Sequence, residues 1–326
     1  MTEAHNNTDL SIIIVNWNSK KYLQKCLKSL SRCTSKFTYD IIVLDGASFD
    51  GCGEMLRQYF PHVRFVQSHN NMGFGRANNE AFKIARGRSI LFLNPDTEIE
   101  GSAIETLAVC LGSLPDAGIV GAKLLNSDRS VQTSCIQAFP TILNQFVDSD
   151  ALRNAFPKAM LWGTGPLYDE SQLPQSVDAV SGACLMIKRA VFETVGKFSS
   201  DYFMYSEDID LCFKTRQAGW RTYYIPTAVV VHHGGASSAQ SGISVFSSVM
   251  MLESRWRFFK RTRPAWYCWL YRAAMLFLSI VRLGVISLGW PMYRVRGNEL
   301  HFGNRMKKWT ARLRWALGGE CWVKNY

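Results

Sequence analysis

Polar side chains follow four short apolar segments in the first hundred residues of the chain. Asn16 comes directly after the first segment, Asp45 after the second, and Asn94 and Asp96 after the fourth, while a glycine-containing polar stretch, 70–76, follows the third. One such residue is usually part of a turn or a helix cap. Because the carboxyl ends of parallel strands meet at one edge of a sheet, four such endings together predict a ligand site at that edge.

Carboxylates and imidazoles are concentrated at two places later in the chain. Glu207, Asp208 and Asp210 open a predicted helix, where acidic residues are favoured by the helix dipole. Three carboxylates in four residues exceed what a helix start requires, and their repulsion must be offset by a cation or by protonation. His232 and His233 end a predicted strand. They face opposite ways, and two imidazoles there indicate a functional role more strongly than one would.

The apolar segments that position these residues recur at the spacing of strand–helix–strand units. They cover residues 11–15, 41–44, 63–66 and 90–93, and the stretches between them have helical periodicity. Unbroken β-branched runs are typical of strands that are buried on both faces of a sheet. The pattern therefore predicts an α/β fold with a doubly wound, mostly parallel sheet flanked by helices.

The part of the chain after these strand–helix units is less regular. Residues 126–178 are rich in Pro, Ser, Asp and aromatic residues, and their length predicts an excursion over the site and not a part of the core. Residues 180–189 follow as a strand that runs into a helix. The helix that opens with the acidic residues is expected to have Ser206 as its N-cap and to stop near Gly219.

Several classes of protein are excluded by motifs that the sequence lacks. It contains no Walker phosphate loop, no His-Glu-x-x-His and no Gly-x-Ser-x-Gly elbow. The nine cysteines are scattered without a Cys-x-x-Cys pair, so no zinc site is expected. Asn78 stands where a dinucleotide fingerprint needs its last glycine, which excludes that fold. The first ten residues carry no signal segment, and a cytosolic protein is expected.

The motifs, in their order along the chain, resemble those of the family-2 glycosyltransferases with a GT-A fold. They are SIIIVNWN (11–18), IIVLDGASFDG (41–51), NNMGFGRANN (70–79), LFLNPDTEI (91–99), SGACLMIKR (181–189), YFMYSEDIDLC (202–212) and HHGGAS (232–237). Within that family the chain is most similar to the bacterial rhamnosyltransferase-like branch, which builds surface polysaccharides on a polyprenyl-diphosphate carrier. The resemblance implies a nucleotide-sugar donor, a divalent metal ion (Mg²⁺ or Mn²⁺) and inversion at the anomeric carbon.

The resemblance also implies a role for each matching residue. Asp96 and His232 would ligate the metal ion, and Asp208 would be the catalytic base. Asn94 replaces the first aspartate of the family's Asp-x-Asp motif, which removes one charge from the metal site. The residues expected to bind the nucleotide sugar are Asn16, Asp45, Gly73, Arg76 and Asn94. The residues expected to bind the acceptor are Gly182, Glu207 and Asp210.

The resemblance further implies a division of the chain and a reaction. A glycosyltransferase domain is expected over residues 1–245, with a nucleotide-sugar half to about residue 125 and an acceptor half over 126–245. A basic, Trp-rich, amphipathic helical tail is expected over 246–326. The expected donor is dTDP-L-rhamnose, with UDP and GDP as the other nucleotides to consider. The expected acceptor is a hydroxyl of a glycan linked to polyprenyl diphosphate, in cell-surface polysaccharide synthesis.

The net charge of +11 belongs to the end of the chain. Residues 250–326 contain 15 basic and 3 acidic residues and seven of the ten Trp, which leaves 22 basic and 23 acidic residues, a net charge of −1, in residues 1–249. Residues 265–293 are apolar except for Arg272 and Arg282. The longest charge-free part, Leu283–Tyr293, is shorter than the ~20 residues that a spanning helix needs. We therefore expect the tail to lie in the interface of an anionic membrane, at the cytoplasmic face of the inner membrane.

Other functions stay open on the residues alone. A basic and aromatic tail also suits nucleic-acid binding, but long apolar runs suit acyl chains better, and no nucleic acid is expected as a partner. The tail would otherwise be a solvated basic helix face. A sugar nucleotidyltransferase is the nearest alternative enzyme, and it would release pyrophosphate instead of a nucleoside diphosphate. An inactive transferase-like domain is disfavoured because Asp96, Asp208 and His232 are all present.

Overall fold

The structure is a computed structural model of the chain, and it describes residues 8–32, 37–234, 245–295 and 297–326. The chain divides into two compact units. The first comprises Met1–Phe139, Asn154–Ser200 and Glu207–Ser237, and the second comprises Pro140–Arg153, Asp201–Ser206 and Ser238–Tyr326. The division expected at residue 245 stays a prediction, because residues 235–244 before it lie outside the described residues. The last three residues of the HHGGAS motif lie outside them too.

The described strands are β1 (Leu10–Asn16), β2 (Tyr39–Asp45), β3 (Arg64–Gln67), β4 (Ser89–Leu93), β5 (Thr97–Ile99), β6 (Ala117–Leu125), β7 (Ile136–Gln137), β8 (Gln175–Val177), β9 (Ala179–Val180), β10 (Cys184–Lys188) and β11 (Arg221–His232). The described α-helices are α1 (Lys20–Arg32), α2 (Cys52–Tyr59), α3 (Phe74–Phe82), α4 (Ala103–Ser113), α5 (Ile142–Phe146), α6 (Asp150–Ala155), α7 (Arg189–Thr194), α8 (Glu207–Gln217), α9 (Val245–Thr262), α10 (Ala265–Leu288), α11 (Trp290–Val295) and α12 (Glu299–Ala316). Short 3₁₀ helices cover Thr133–Cys135, Gly165–Tyr168 and Cys321–Asn325.

The main sheet of the first unit has nine described strands. Their order is β3-β2-β1-β4-β10-β6-β11-β5, and β8 pairs with β11. Strands β1 to β4 pair in parallel, and β6 pairs in parallel with β11. Strand β10 runs antiparallel to both of its neighbours, and β5 and β8 run antiparallel to β11. Six of the nine strands therefore share one direction, which confirms the predicted doubly wound, mostly parallel sheet.

The core of the first unit follows the apolar pattern of the sequence. Strand β1 is buried along almost its whole length because helices cover both faces of a parallel sheet. Helix α1 presents Leu23, Cys26, Leu27 and Leu30 to the core. These positions are three or four residues apart, so they form one apolar stripe along the helix.

Two expectations for residues 126–206 need correction. Ser206 has a φ of 67°, in the left-handed region and outside the extended region typical of an N-cap residue, and its hydroxyl accepts a hydrogen bond from Arg255 at 3.0 Å. The stretch 126–178 is not wholly outside the core, because Cys135 and Ile136 are fully buried and β7 pairs with β9. Strands β7 and β9 are only two residues long, and so short a run of apolar residues shows no periodicity from which a strand could be predicted.

The strand register brings the polar strand ends to one edge of the sheet. Asn16 pairs with Asp45 at the ends of β1 and β2. Asn94 continues β4 and donates its backbone N–H to the carbonyl of Ala183, just before β10. His232, at the end of β11, pairs with Thr97 of β5. Three separate parts of the chain are thus fixed beside one another by backbone hydrogen bonds.

Gly121 of β6 is required by the close approach of Val180. A Cβ atom on Gly121 would lie 2.5 Å from the Cβ of Val180, and both groups belong to strands in the core. We expect Gly121→Ala to lower the free energy of unfolding by about 1–3 kcal/mol, because neither strand can move without disturbing its hydrogen bonds. Urea unfolding of the variant measures this.

The matched control for that variant is Gly112→Ala. Gly112 lies in helix α4, and a Cβ atom there would have no neighbour within 4 Å. This substitution should leave the stability unchanged or raise it by about 0.5–1 kcal/mol, since alanine favours a helix. Equal losses in both variants would contradict the steric explanation.

The second unit contains helices α9, α10 and α12, which pack on one another. Arg272 of α10 donates to the carbonyl oxygens of Trp315 and Ala316 at 2.7 and 3.0 Å, close to the end of α12. Its guanidinium also lies 5.3 Å from the ring centres of Trp256 and Trp315. Arg272, the first of the two cations that interrupt the apolar segment, is therefore engaged by backbone carbonyls and aromatic rings.

Helix α10 has one buried and one exposed apolar face. Tyr271 and Met275 lie on the buried face. The exposed face carries the large apolar side chains of Trp266, Trp269, Leu270, Phe277, Ile280, Val281, Val285 and Leu288. Within the described part of the chain, α10 is the one helix that is long and apolar enough to cross a membrane by length and composition. An exposed apolar surface of this extent is typical of an interaction site.

Candidate active site

Asn94, Asp96 and His232 meet at the carboxyl end of β4. The Nε2 atom of His232 lies 3.3 Å from the Oδ1 atom of Asp96 and 3.3 Å from the Nδ2 atom of Asn94. Asp96 is buried, and its backbone carbonyl accepts a hydrogen bond from the N–H of His233 at 2.9 Å. The two predicted metal ligands, which are far apart in sequence, are thus neighbours in the structure.

Gln132 holds the ring of His232 on its other side. Its Oε1 atom lies 2.7 Å from Nδ1 of the ring, and its Nε2 atom donates to Oδ1 of Asn126 and to the carbonyl of His232. The two acceptors fix the orientation of the amide, so the oxygen faces the ring and Nδ1 must be the donor. In the neutral imidazole, Nε2 is then unprotonated and lies 3.3 Å from both Oδ1 of Asp96 and Nδ2 of Asn94.

This geometry fits a divalent cation. An unprotonated ring nitrogen and a carboxylate oxygen 3.3 Å apart are two electron-rich atoms, and a cation between them removes their repulsion. Carboxylate oxygen and imidazole nitrogen are both established ligands of divalent metal ions. The sequence did not single out Gln132, because nothing in the irregular stretch around it marks a partner one hundred residues away.

His233 faces the opposite side of the strand end. Its two ring nitrogens lie 2.8 Å from Oγ of Ser127 and 2.8 Å from Oε1 of Glu98. Successive side chains of a strand alternate between the two faces of the sheet, as expected from the sequence. Of the two histidines, His232 is therefore the one beside Asp96.

Asp45 and Asn16 form a second cluster, at the ends of β2 and β1. Both are fully buried, and Nδ2 of Asn16 donates to Oδ1 of Asp45 at 2.8 Å. Oδ2 of Asp45 accepts from Nε2 of Gln67 at 2.8 Å and from the N–H of Ser48 at 3.0 Å. Burial would raise the pKa of Asp45, but the hydrogen bonds from Ser48, Gln67 and Asn16 together hold this pKa below its usual value. Asp45 is thus a fixed carboxylate.

Two further features of this cluster bear on what it binds. Asp50 and Cys52 each place a potential ligand atom within 4.8 Å of Asp45. Burial raises the pKa of the Cys52 thiol, however, and a protonated thiol is a poor metal ligand. The buried Oδ1 atom of Asn16 has no hydrogen-bond partner among the described residues. A buried acceptor of this kind can accept a hydrogen bond from water or from a bound ligand.

Asp208 lies beside Gly182 at the start of α8. Its Oδ2 atom accepts the backbone N–H of Gly182 at 3.0 Å, and its Oδ1 atom accepts that of Ile209 at 2.8 Å. Asp208 remains half-buried, so part of its carboxylate is accessible. A Cβ atom on Gly182 would lie 3.3 Å from the ring of Phe74 and 3.4 Å from Cβ of Asp208. The small residue at 182 therefore allows the starts of α3 and α8 to approach each other.

The other two acidic residues of α8 differ from Asp208 in their surroundings. Glu207 is buried and lies close to Gly75 of α3. Asp210 is fully buried, hydrogen-bonded to the hydroxyl of Ser199, and 3.5 Å from Nζ of Lys214. Lys214 of the same helix thus supplies a cation to Asp210, one of the three clustered carboxylates. The predicted role of Asp210 in acceptor binding stays a prediction.

Gly73 and Arg76 lie at the start of α3. Gly73 has a φ of 77°, in the left-handed region, and its N–H donates to Oδ1 of Asn71 at 2.9 Å. Arg76 is exposed, and its Nε atom donates to the carbonyl of Ser200 at 2.8 Å. The guanidinium is thereby held at the surface, next to a helix start at which anions are favoured.

A family model described as Glycosyl transferase family 2 matches residues 11–196. The N-acetylglucosaminyl-diphospho-decaprenol L-rhamnosyltransferase of Mycobacterium tuberculosis is 29% identical over 249 residues, 72% of this chain and 79% of that protein. The rhamnosyltransferase WbbL of Escherichia coli is 28% identical over 266 residues, 77% of this chain and 93% of that protein.

The solved structures include similar folds. The mannosyltransferase PcManGT from Pyrobaculum calidifontis, in complex with GDP-Man and Mn²⁺, superposes with a TM-score of 0.57 at 15% identity and covers 97% of this chain and 89% of its own. At this identity the likeness concerns the fold alone.

Proposed function

The chain belongs to the family-2 glycosyltransferases and has their GT-A fold, and from this premise we propose that it transfers L-rhamnose from dTDP-rhamnose to a lipid-linked glycan. The proposed acceptor group is a hydroxyl of a glycan on polyprenyl diphosphate, and the anomeric carbon is inverted. The names of two relatives support the sugar, and the name of one supports a lipid-diphosphate carrier. The observation that carries the proposal is the meeting of Asp96 and His232 beside β4.

The donor occupies the edge of the sheet at which β1, β2 and β4 end. Asp45 accepts the ring N–H of a thymine or uracil base, because its carboxylate is fixed and ionised. The buried Oδ1 atom of Asn16, which has no partner among the described residues, accepts a further hydrogen bond from the donor. Asn94 lies near the ribose and the metal ion. Gly73 and Arg76 contact the diphosphate, whose negative charge suits a cation and a helix start.

Asp96 and His232 hold a divalent cation, Mg²⁺ or Mn²⁺. When bound, the ion neutralises charge on the departing diphosphate. The protein's own contribution is a pair of ligands: Asp96 directly before β5, and His232 at the end of β11, which pairs with β5 at Thr97. Gln132 acts on the ring of His232 and not on the ion, so it is a positioning residue in this proposal.

We expect Gln132→Leu to weaken the affinity for Mn²⁺ about 10–100-fold. Leucine removes the acceptor that keeps the proton on Nδ1, so the Nε2-protonated tautomer, which cannot bind a metal ion, becomes populated. Titration of free Mn²⁺ by electron paramagnetic resonance, in the presence of the nucleoside diphosphate, measures the affinity.

Gln132→Glu is the matched variant, because it keeps an oxygen acceptor toward Nδ1. It should retain Mn²⁺ binding, whereas a merely structural role would make both variants equally harmful. Native affinity in Gln132→Leu would remove Gln132 from the proposed metal site.

Asp208 is the catalytic base in the proposed reaction. It removes the proton from the acceptor hydroxyl, whose oxygen forms a bond to the anomeric carbon while the bond to the diphosphate breaks on the opposite face. The backbone N–H groups of Gly182 and Ile209 hold its carboxylate in place. Gly182, Glu207 and Asp210 complete the proposed acceptor side.

The second unit holds the enzyme at the cytoplasmic face of the inner membrane, as a peripheral protein. The exposed apolar face of α10 enters the interface, and the basic residues of the tail attract anionic lipids. Arg272 supports an interfacial position over a spanning one, because its guanidinium is bound within the unit, two turns into α10. Such a position brings the protein to its lipid-linked acceptor.

A panel of nucleotide sugars tests the proposal. dTDP-rhamnose, UDP-sugars and GDP-sugars are each added with Mg²⁺ or Mn²⁺, and thermal stabilisation and released nucleotide are measured. We expect the largest effect with dTDP-rhamnose, release of dTDP, and loss of both effects on chelation of the metal ion. Release of pyrophosphate would identify a nucleotidyltransferase instead, and a response limited to another sugar would overturn the rhamnose assignment.

A further inference from the structure

Two arginines of the second unit share one tryptophan ring. Arg312 of α12 places its guanidinium carbon 4.4 Å from the ring centre of Trp309, and Arg282 of α10 places its own 5.8 Å from the same centre. All three side chains are half-buried. Two like charges are therefore brought together on a seam between two helices, where solvent screens them only in part.

Neither guanidinium is neutralised within the described part of the chain. No carboxylate lies at ion-pair distance from Arg282 or Arg312 there, and neither of them donates a hydrogen bond to a described residue. The nearby carboxylate of Asp148 attracts Arg312 but is already hydrogen-bonded to Arg153 at 2.6 Å. Burial lowers the pKa of Arg312, Tyr271 and Asp148 oppose this effect, and the charge of Arg282 adds a smaller lowering.

Several arginines of the same unit have acceptors, unlike this half-buried pair. Arg272 binds two carbonyl oxygens, Arg314 binds Glu320, and Arg305 binds the hydroxyl of Tyr293. The free guanidinium N–H groups of Arg282 and Arg312 are thus available to a ligand. An anion with several oxygens satisfies them best, because a guanidinium binds phosphate oxygens in pairs.

The position of the pair indicates what carries that anion. Arg282 is followed one turn later by the buried Ile286, while its neighbours Val281 and Val285 belong to the exposed face of α10. The cationic seam and the apolar face are therefore adjacent along the same helix. A phosphate attached to a hydrocarbon chain matches both surfaces, whereas a free anion uses only the first.

We propose that Arg282, Arg312 and Trp309 form a binding site for the phosphate or diphosphate group of a lipid, whose hydrocarbon chain lies along the exposed face of α10. The inference rests on the proposed membrane contact and replaces a diffuse attraction by a defined site. The indole of Trp309 keeps the two guanidinium groups at a fixed position, so that both donate to one ligand.

Flotation of the full-length protein with vesicles tests the site. The vesicles are phosphatidylcholine alone, phosphatidylcholine with phosphatidylglycerol, and phosphatidylcholine with a polyprenyl diphosphate. Arg282→Gln and Arg312→Gln should each weaken binding to the phosphate-bearing vesicles about tenfold, since each removes charge-assisted hydrogen bonds to the ligand. Arg294→Gln removes the same charge from an exposed position on α11 and should change binding by less than about twofold.

Arg312→Lys separates the defined site from net charge. It keeps the cation but lacks the planar pair of donors, so it should bind more weakly than the native protein. Thermal unfolding without lipid serves as a folding control, and we expect no decrease for Arg282→Gln because the substitution removes a like-charge contact. Equal binding by Arg294→Gln, Arg282→Gln and Arg312→Gln, or native binding by Arg312→Lys, would overturn the inference.

The vesicle series also identifies the source of the phosphate. Stronger flotation with the polyprenyl diphosphate assigns the site to the carrier lipid, and equal flotation with phosphatidylglycerol assigns it to the bulk membrane. Competition by inorganic pyrophosphate, without any preference for vesicles, would overturn the lipid part. If the native protein binds none of the three kinds of vesicle, the proposed membrane contact itself is wrong. If the arginine variants float as well as the native protein, only the proposed phosphate site is wrong.

Discussion

Asp208→Asn is expected to abolish sugar transfer while the donor still binds. The amide keeps the shape of the side chain, and its one oxygen can accept from either Gly182 or Ile209, whose N–H groups bind different oxygens of Asp208. The amide cannot take a proton from the acceptor hydroxyl. General-base catalysis contributes about 10²–10⁴ to the rate, and turnover should fall by that factor. Release of nucleoside diphosphate in the presence of acceptor measures turnover, and calorimetric titration measures donor binding.

Glu193→Gln provides a control for this substitution. Glu193 is an exposed residue of α7 that pairs with Arg189, and the loss of its charge should not affect transfer. Near-native turnover in Asp208→Asn would remove this residue from the mechanism. A loss of donor binding together with turnover would show that Asp208 supports the fold of the site and does not act as its base.

Asp96→Ala is expected to abolish both metal binding and metal-dependent donor binding. Substitution of residues that merely orient a ligand costs about 10–100-fold in metal affinity, and removal of the carboxylate itself should exceed that range. The substitution leaves His232 as the remaining ligand of the pair, which cannot neutralise the charge of a divalent ion. Titration of free Mn²⁺ reports the affinity without reference to activity.

Glu98→Gln is the matched control for Asp96→Ala. Glu98 lies two residues further along the chain, but its carboxylate contacts His233 on the opposite face. It should therefore leave the Mn²⁺ affinity unchanged. Equal losses of Mn²⁺ affinity in the two variants would mean that the affinity depends only on the negative charge near this strand end. The assignment of Asp96 as a ligand would then be wrong.

The sequence predicts most of the parallel half of the sheet. The apolar runs that become β1, β2 and β4 are long enough to be read directly, and the polar residues after them, Asn16 and Asp45, meet as the topology requires. The direction of β10 is not predictable in this way. Its run of apolar residues has the same composition as a parallel strand, and only the packing of the whole sheet decides which way it runs.

The candidate site was predictable only in part, for a related reason. Asp96 and His232 stand out because of their residue types and positions at strand ends. Gln132 and Gln67 do not, because an amide in a loop or at a strand end has no distinctive pattern, and their partners are distant in sequence. The two arginines on the ring of Trp309 are visible in the sequence as basic residues, but their lack of an anionic partner is a property of the folded unit.

The antiparallel strand β10 has a consequence for how the protein is synthesised. It inserts between β4 and β6, so β4 keeps an unpaired edge until the ninety or so residues from 94 to 183 have followed it. On the ribosome, a nascent chain released or paused before Lys188 would therefore expose that edge to other chains. The sheet therefore cannot close around β4 until synthesis has passed Lys188.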